Sequence, residues 1–260
     1  ATKVSRKNFK KFDFSNLTSI DEILKKYKPQ IVINCAAFTN VDDAEIKKKK
    51  CKDINSKAVK KIAIYCKKFD ALLVHFSTDY IFDGKKNGYY YEYSKSNPIN
   101  YYGKTKFLAE QSIIKTKCKH IILRVSWIYN LNKKNNFIYK VKKMLEQKKD
   151  ISLPLDQIGS PTSAKFISHN LKNIINLYKK NNFKLGVYNL APSKPSSRYD
   201  VGHYLLKILN SKSNIKGIRT KSLISLARRP TNSKLSTIKI EKALKYKLIS
   251  WKQDLLNNLK

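Results

Sequence analysis

The sequence predicts an α/β fold, in which helices cover both faces of a doubly wound parallel sheet and a smaller lobe follows. Short apolar runs alternate with longer amphipathic stretches up to about Trp127. Strands that alternate with helices form right-handed βαβ units, and the strands of such units are parallel. Beyond Trp127 the pattern becomes less regular and prolines separate shorter elements, as in a second lobe. The length of 260 residues and a hydrophobic content of 42% are enough for a sizeable core.

The first predicted elements are a helix, a strand and a second helix. Ser19 and Glu22 have the spacing of a capping box, so we expect a helix to begin there and to end near Pro29. The apolar run 31–37 is typical of a strand buried on both faces. A long helix is expected over about 53–69. The acidic residues between them, which suit the first turn of a helix, are Asp42, Asp43 and Glu45.

A strand over 71–76, a helix over about 102–115 and a strand over 121–125 complete the regular part. Ligands of open α/β sheets bind beyond the carboxyl ends of the strands. The segments that follow two of these strands, 34–42 and 77–84, are polar. Small residues at 35–37 would let a flat cofactor lie against the backbone, and the Thr78 hydroxyl could bond a substrate oxygen.

The net charge of +37 suggests a polyanionic partner, because basic surfaces bind phosphate backbones without specificity. The lysines are nevertheless spread along the whole chain, and the run 47–50 has the character of a solvated helix face. Arginine, which favours planar recognition of phosphate, is scarce with six residues. We therefore expect no dedicated nucleic-acid binding.

The remaining composition argues for a cytoplasmic protein without a metal. No apolar stretch is long enough to span a membrane, and no secretory leader is visible, so we expect no membrane partner. The four cysteines and four histidines lack the spacing of metal ligands. Reduced thiols are the expected state of the cysteines.

Tyr102 and Lys106 form a Y-x-x-x-K motif, in which both side chains share one helix face. The ammonium can lower the pKa of the phenol, and such a tyrosine can act as a general acid that protonates an alkoxide after hydride transfer. The spacing also occurs at 91/95, 129/133 and 139/143, so the motif alone carries little weight. Only the 102/106 pair begins a helix one loop after a strand that ends in Ser77 and Thr78. A surface tyrosine beside a solvated lysine is the competing interpretation.

Six collinear segments resemble the dTDP-4-dehydrorhamnose reductase family, within the extended short-chain dehydrogenases/reductases. They are 29–45 (PQIVINCAAFTNVDDAE), 72–84 (LLVHFSTDYIFDG), 97–111 (NPINYYGKTKFLAEQ), 122–129 (ILRVSWIY), 156–164 (DQIGSPTSA) and 228–236 (RRPTNSKLS). The resemblance implies a Rossmann-like fold and reduction of the 4-keto group of a nucleotide-linked deoxysugar by NADPH or NADH, in dTDP-L-rhamnose synthesis. It also implies an NAD(P)-binding domain at 1–126 with about 162–180, and a substrate-binding lobe at about 127–161 and 181–260.

Site residues follow from the same resemblance. Thr78 and Tyr102 would polarise the keto oxygen, and Lys106 would hold the nicotinamide ribose and tune Tyr102. The residues expected near the cofactor are Asp13 and Phe14 at the adenine and Ala36, Ala37 and Thr39 along its length. Those expected to line the sugar-nucleotide site are Val41, Asp79, Tyr80 and Trp127. For Tyr80 and Trp127, packing in the core is an equally strong interpretation.

The sequence departs from the family at its beginning. The first glycine is Gly84, and no G-x-G-x-x-G or P-loop motif occurs. By the resemblance, the chain begins near the family's second strand, around Lys3 to Ser5, without the preceding strand, glycine-rich turn and helix. That unit supplies the helix N-terminus that binds pyrophosphate. We interpret the sequence as a fragment or an incompletely recorded gene, which an upstream in-frame Met would support.

Two other functions stay open. One is a non-catalytic binding subunit on the same fold, like the regulatory subunits of methionine adenosyltransferase. The absence of the glycine-rich loop would suit such a role. The other is a basic nucleic-acid-binding module. A homodimer is also possible, and Arg228 or Arg229 could clamp a diphosphate in a bidentate manner.

Overall fold

The computed structural model describes residues 2, 4, 13–134 and 136–259. Its strands are β1 (Ile31–Asn34), β2 (Leu72–Thr78), β3 (His120–Val125), β4 (Ile128–Tyr129), β5 (Ile151–Pro154), β6 (Ile158–Gly159), β7 (Thr162–Ser163), β8 (Gly186–Asn189), β9 (Ser196–Ser197) and β10 (Ile215–Ile218). Its α-helices are α1 (Leu17–Tyr27), α2 (Val41–Ile46), α3 (Lys48–Lys52), α4 (Ala58–Lys68), α5 (Tyr101–Thr116), α6 (Phe137–Glu146), α7 (Ala164–Lys179), α8 (Arg198–Ile208), α9 (Ile238–Leu244) and α10 (Trp251–Leu259). The stretch around Lys3 to Ser5 lies outside the described residues, apart from Val4.

The main sheet is parallel and has the strand order β1-β2-β3-β8. One face packs against α1, α4 and α5 through an apolar layer that includes Leu24, Ile62 and Ile113. The other face packs against α7 and α9, with Ile174 and Leu244 in its layer. The predicted parallel sheet with helices on both faces is confirmed.

The first helix begins three residues before the predicted position. Its N-cap is Asn16, whose side-chain oxygen accepts a hydrogen bond from the backbone N–H of Thr18 at 2.9 Å. The predicted capping box from Ser19 to Glu22 is therefore wrong, because Ser19 already lies inside the helix and is buried. The helix ends as predicted, at Lys28 in the left-handed conformation.

Strand β1 is shorter and more exposed than predicted. It spans four residues instead of 31–37, and Ile33 is 41% exposed. The expectation of a strand buried on both faces is wrong, because β1 is the edge strand of the sheet that the described residues form. The strand ends where the side-chain oxygen of Asn34 accepts the backbone N–H of Ala36 at 3.0 Å.

The helix predicted over 53–69 is confirmed, and the helical stretch begins earlier, at Lys48. A turn of π-helix over Asp53–Lys57 joins α3 to α4. Asn55 in that turn is buried and fixes the loop after β1. Its side-chain oxygen accepts the backbone N–H of Phe38 at 2.8 Å, and its side-chain nitrogen donates to the carbonyl of Phe38 at 3.1 Å. The acidic residues at 42, 43 and 45 do begin a helix, α2, which Asn40 caps.

The elements that carry Thr78 and the Y-x-x-x-K motif lie where the sequence predicts them. Strand β2, helix α5 and strand β3 match the predicted strand, helix and strand within about two residues at each end. All three are largely buried. The position of Thr78 at the end of β2 and of Tyr102 in the first turn of α5 is thus confirmed.

A second apolar cluster forms away from the main sheet. The parallel pair β5 and β10 packs with α6, α8 and α10 around Trp251, Leu205 and Leu145. Strand β8, which we expected in the second lobe, pairs instead with β3 in the main sheet, and Ile240 and Leu244 of α9 join the core of that sheet. The division into two domains stays a prediction.

Candidate active site

Thr78 closes strand β2 and starts a short 3-10 turn over Asp79–Ile81. Its buried hydroxyl accepts the backbone N–H of Tyr80 at 3.1 Å and donates to the Asp79 carboxylate at 3.0 Å. The turn forms because this hydroxyl satisfies an N–H that would otherwise lack a partner at the end of the strand. The strand end is thereby fixed in one geometry.

Tyr102 reaches the same place from the first turn of α5. Asn100 caps the helix by accepting the N–H of Gly103 at 2.8 Å. The Tyr102 ring meets the ring of Tyr80 edge-on, with 6.1 Å between centroids. Burial raises the pKa of the Tyr102 phenol well above its usual value, and a hydrogen bond with Thr78 acts in the opposite direction.

Lys106 lies one helical turn later and is 2% exposed. Its terminal nitrogen donates to the carbonyl oxygen of Phe76 at 2.5 Å and lies 3.2 Å from Nε2 of His75. Burial lowers the pKa of Lys106 to about 8, although the carboxylate of Glu110 favours the charged form. We expected this ammonium to lower the pKa of Tyr102. The net direction is upward because burial of the phenol dominates, and the tuning role of Lys106 stays a prediction.

Asp79 is a buried carboxylate held by hydroxyl groups. Ser126, just after β3, donates to it at 3.0 Å, and Ser233 forms a further hydrogen bond. Burial raises the pKa of Asp79, whereas its bonds with Ser233, Ser126 and Thr78 lower it. Neither serine was predicted, since a single serine in a loop gives no signal in the sequence.

Arg198 is the most informative residue that the sequence analysis missed. Its guanidinium lies over the rings of Trp127 at 4.3 Å and Phe137 at 4.4 Å, and its Nε donates to the side-chain oxygen of Gln157 at 2.8 Å. It also bonds the hydroxyl of Tyr80, and burial lowers the pKa of the guanidinium. The available signals were the scarcity of arginine and the position of Arg198 at the start of a capped helix.

Tyr80 and Trp127 both pack against other side chains, which was the alternative interpretation to lining the substrate site. Tyr80 is buried, and Trp127 packs against the second apolar cluster. Trp127 has a left-handed backbone with φ of 40°, and a Cβ on Gly159 would lie 2.7 Å from its indole. The indole is therefore confined between Gly159 and the guanidinium of Arg198. Whether the two rings also line a substrate site stays a prediction.

The residues predicted along the cofactor lie after β1 and before α1. Ala36 and Ala37 are half-buried, Thr39 is exposed, and Val41 is the first residue of α2. The residues before α1 are Asp13, which accepts the N–H of Ser15 at 2.9 Å, and Phe14, which packs against the layer beneath α1. Their roles toward a cofactor stay predictions.

The two arginines expected to clamp a diphosphate differ in their surroundings. Arg229 forms a two-point ion pair with Asp42 at 2.6 and 3.2 Å, so its guanidinium already has an anionic partner. This pair lowers the pKa of Asp42. Arg228 is exposed, and its carbonyl accepts the side-chain amide of Asn100 at 2.9 Å.

The structure was expected to hold no metal site and no membrane-spanning helix. Within the described ranges, no group of three or more His, Cys, Asp or Glu side chains is arranged to hold a metal ion. In the same part of the chain, no helix combines the length and apolar character needed to cross a bilayer. The four cysteines are free thiols, of which Cys35 is exposed.

Known proteins resemble this chain over almost its whole length. The sequence model described as "RmlD substrate binding domain" matches residues 1–260. A dTDP-4-dehydrorhamnose reductase of Escherichia coli K12 is 30% identical over 245 residues, which cover 92% of this chain and 82% of that protein. One from Aggregatibacter actinomycetemcomitans is 30% identical over 257 residues, with 96% and 87% covered. The crystal structure of the Bacillus anthracis reductase in complex with NADP superimposes with a TM-score of 0.86 at 28% identity, covering 96% of this chain and 87% of that one.

Proposed function

The chain belongs to the dTDP-4-dehydrorhamnose reductase family, and on that premise we propose that it is an NAD(P)H-dependent reductase. Its substrate is a nucleotide-linked 4-keto-deoxysugar, and its place is in dTDP-L-rhamnose synthesis. The observation that carries the proposal is the meeting of Thr78, Tyr102 and Lys106 at the carboxyl end of β2, where open α/β sheets bind their ligands.

A nicotinamide cofactor fits the groups beside this strand end. The Ser77 hydroxyl is 2% exposed and has no hydrogen-bond partner among the described residues, so a polar ligand group would satisfy it. Lys106 keeps an N–H beyond the one that it donates to Phe76, and we assign it to the nicotinamide ribose. The bound cofactor supplies a hydride to the carbonyl carbon. The Bacillus anthracis reductase, whose structure is in complex with NADP, supports NADPH, with NADH as the alternative.

Tyr102 is the proton donor of the proposed reaction. Its O–H bond breaks as a new O–H bond forms on the former keto oxygen, which leaves a phenolate on Tyr102. Because burial raises the pKa of the phenol, Tyr102 holds its proton at neutral pH until the alkoxide develops. The Thr78 hydroxyl orients the phenol and the keto oxygen, and the charge on Lys106 offsets that of the phenolate.

Arg198 is the proposed binding group for the anionic portion of the substrate. Its guanidinium lies 4.3 Å from the ring centre of Trp127 and 4.4 Å from that of Phe137, and its N–H groups have the planar geometry that donates to a bidentate acceptor. Gln157, which holds Arg198, is 3% exposed, and its side-chain nitrogen lacks a partner among the described residues. We therefore assign the diphosphate to Arg198 and Gln157 rather than to Arg229, which is paired with Asp42. Val41, Asp79, Tyr80 and Trp127 complete the proposed substrate site.

The experiment that tests the function measures NADPH oxidation with dTDP-4-dehydrorhamnose. We expect Tyr102→Phe to lower kcat by about 10²–10⁴-fold, the usual contribution of a positioned general acid. Tyr139→Phe is the matched control, because Tyr139 heads a Y-x-x-x-K on α6 and should leave turnover unchanged. Equal turnover by Tyr102→Phe would exclude the assigned mechanism. Absence of turnover in every form would favour the non-catalytic binding subunit.

The cytoplasmic location, the homodimer and the two-domain division complete the proposal. A nucleotide-sugar substrate supports the first, since such substrates are intracellular metabolites. The second apolar cluster around Trp251 supports a separate substrate lobe. Sedimentation of the purified chain would measure the oligomeric state.

A further inference from the structure

A continuous chain of buried hydrogen bonds runs beneath the proposed site and ends on Lys106. The backbone N–H of Ala36 donates to the side-chain oxygen of Asn34 at 3.0 Å. The side-chain nitrogen of Asn34 lies 3.1 Å from Nδ1 of His75, and Nε2 of His75 lies 3.2 Å from Nζ of Lys106. Lys106 donates to the carbonyl of Phe76 at 2.5 Å.

The direction of these hydrogen bonds is determined by the first of them. A backbone N–H can only donate, so the oxygen of Asn34 must face Ala36 and the NH₂ group must face His75. An amide nitrogen can only donate as well, so Nδ1 of His75 must accept. A neutral imidazole carries one proton, which then resides on Nε2, the nitrogen that faces Lys106.

His75 is also confined to its neutral form. The ring is completely buried in β2, and burial, reinforced by the charge of Lys106, lowers its pKa well below the usual value. Its Nε2–H therefore points at the terminal nitrogen of Lys106. An uncharged amine can accept this hydrogen bond with its lone pair. An ammonium has no lone pair, so its N–H groups must point away from the Nε2–H of His75.

We propose that His75 is a positioning residue for Lys106: Asn34 fixes its tautomer, and its Nε2–H favours the uncharged amine. This role in the reaction rests on the proposed function, in which charged Lys106 holds the nicotinamide ribose. Nothing in the tautomer argument itself depends on that function.

The consequence is a pH limit on the charge of Lys106. The other titratable groups that act on it are Glu110 on its own helix and Cys51 on α3, and both raise its pKa. Burial outweighs them, so the pKa is lowered to about 8. The charge is therefore present below about pH 8 and is lost as the pH rises through this value. Cofactor binding and turnover should decline over the same range.

The tautomer is measured directly by long-range ¹H–¹⁵N correlation NMR on the full chain. With four histidines, each ring gives a separable pattern, and His75→Gln assigns the one of interest. We expect a neutral ring with the proton on Nε2 from about pH 6 to 9. A proton on Nδ1, or a ring that becomes doubly protonated in this range, would overturn the proposal.

The pH profile of kcat/KM tests the effect on Lys106. In His75→Gln the side-chain oxygen can accept from the ammonium, so we expect the basic limb to move up by about one pH unit. His120→Gln is the control, because His120 lies on the neighbouring strand and bonds the carbonyl of Cys118 instead. Superimposable profiles for His75→Gln and the parent would overturn the role. If neither turns over, the proposed function has failed, and the NMR result still decides the tautomer.

Discussion

Gly103 is the glycine on which the geometry of the site depends most directly. It is the third residue of α5, between Asn100, which caps the helix, and Lys106. A Cβ at this position would lie 2.1 Å from the backbone carbonyl oxygen of Tyr80. Carbon and oxygen approach to about 3.3 Å at closest. Either α5 or the turn after β2 must therefore move by about 1 Å in Gly103→Ala.

The expected cost follows from two opposing contributions. Alanine is the better helix former by about 1 kcal/mol. Overpacking against a rigid neighbour costs about 1–3 kcal/mol, and a backbone carbonyl held by the 3-10 turn cannot rotate away. We expect a net loss in the free energy of unfolding of up to about 2 kcal/mol. Because α5 carries Tyr102, a 1 Å displacement should also lower kcat by about 100-fold.

Gly202→Ala is the matched control for this prediction. Gly202 lies in helix α8, and its added Cβ would come equally close, 2.2 Å, to another atom. That atom is the terminal methyl Cδ1 of Leu153, the flexible end of a side chain, which can rotate at little cost. Urea unfolding and NADPH oxidation should show a loss for Gly103→Ala and near-parental values for Gly202→Ala. A Gly103→Ala protein as stable and as active as the parent would refute the reasoning.

Further predictions concern two ion pairs. Glu110→Gln removes one partner of the buried pair with Arg124, 2.7 Å apart, and we expect thermal or urea unfolding to show a loss of about 3–5 kcal/mol. Replacing both residues by leucine should cost less, because no buried charge is then left alone. Arg229→Lys loses the two-point contact with Asp42, and we expect unfolding experiments to show a loss of less than about 1 kcal/mol, because the pair is partly solvated. The pKa of Asp42 is lowered in the folded protein. The stability from this pair should therefore be present above the ordinary aspartate pKa and be lost as the pH falls through the pKa of Asp42 in the folded protein. Acid unfolding of Asp42→Asn compared with the parent would show this loss.

Local pattern was sufficient to predict the elements, and long-range pairing explains the errors. The apolar run 121–125 predicts β3, which is almost entirely buried, and the helix predicted over about 102–115 matches α5 within one residue at each end. The exposure of Ile33 depends on which strands flank β1, and the pairing of β8 with β3 joins residues about 65 apart. At the first helix, both Asn16 and Ser19 are good N-caps, so sequence alone could not choose between them.

The same distinction applies to the site. Thr78 and Tyr102 were predictable because their order along the chain, a strand end followed by a helix start, brings them together. Arg198 and Gln157 come from separate segments, about 40 residues apart, and meet only in the folded chain. His75 looked like a core residue inside an apolar strand, and its role appears only when its two nitrogens have named partners. The direction of the Tyr102 pKa also required the structure, because burial decides it.

The 3-10 turn Asp79–Ile81, with Thr78 before it, couples the parts of the proposed site. The carbonyl of Tyr80 excludes any side chain at Gly103 and so sets how closely α5 approaches β2. The ring of Tyr80 contacts that of Tyr102 edge-on, while its hydroxyl forms a hydrogen bond with Arg198, the first residue of α8. A shift of this turn would therefore displace the proton donor and the proposed anion-binding group together. Substitutions here should change kcat and KM jointly, whereas those at Arg198 alone should act mainly on KM.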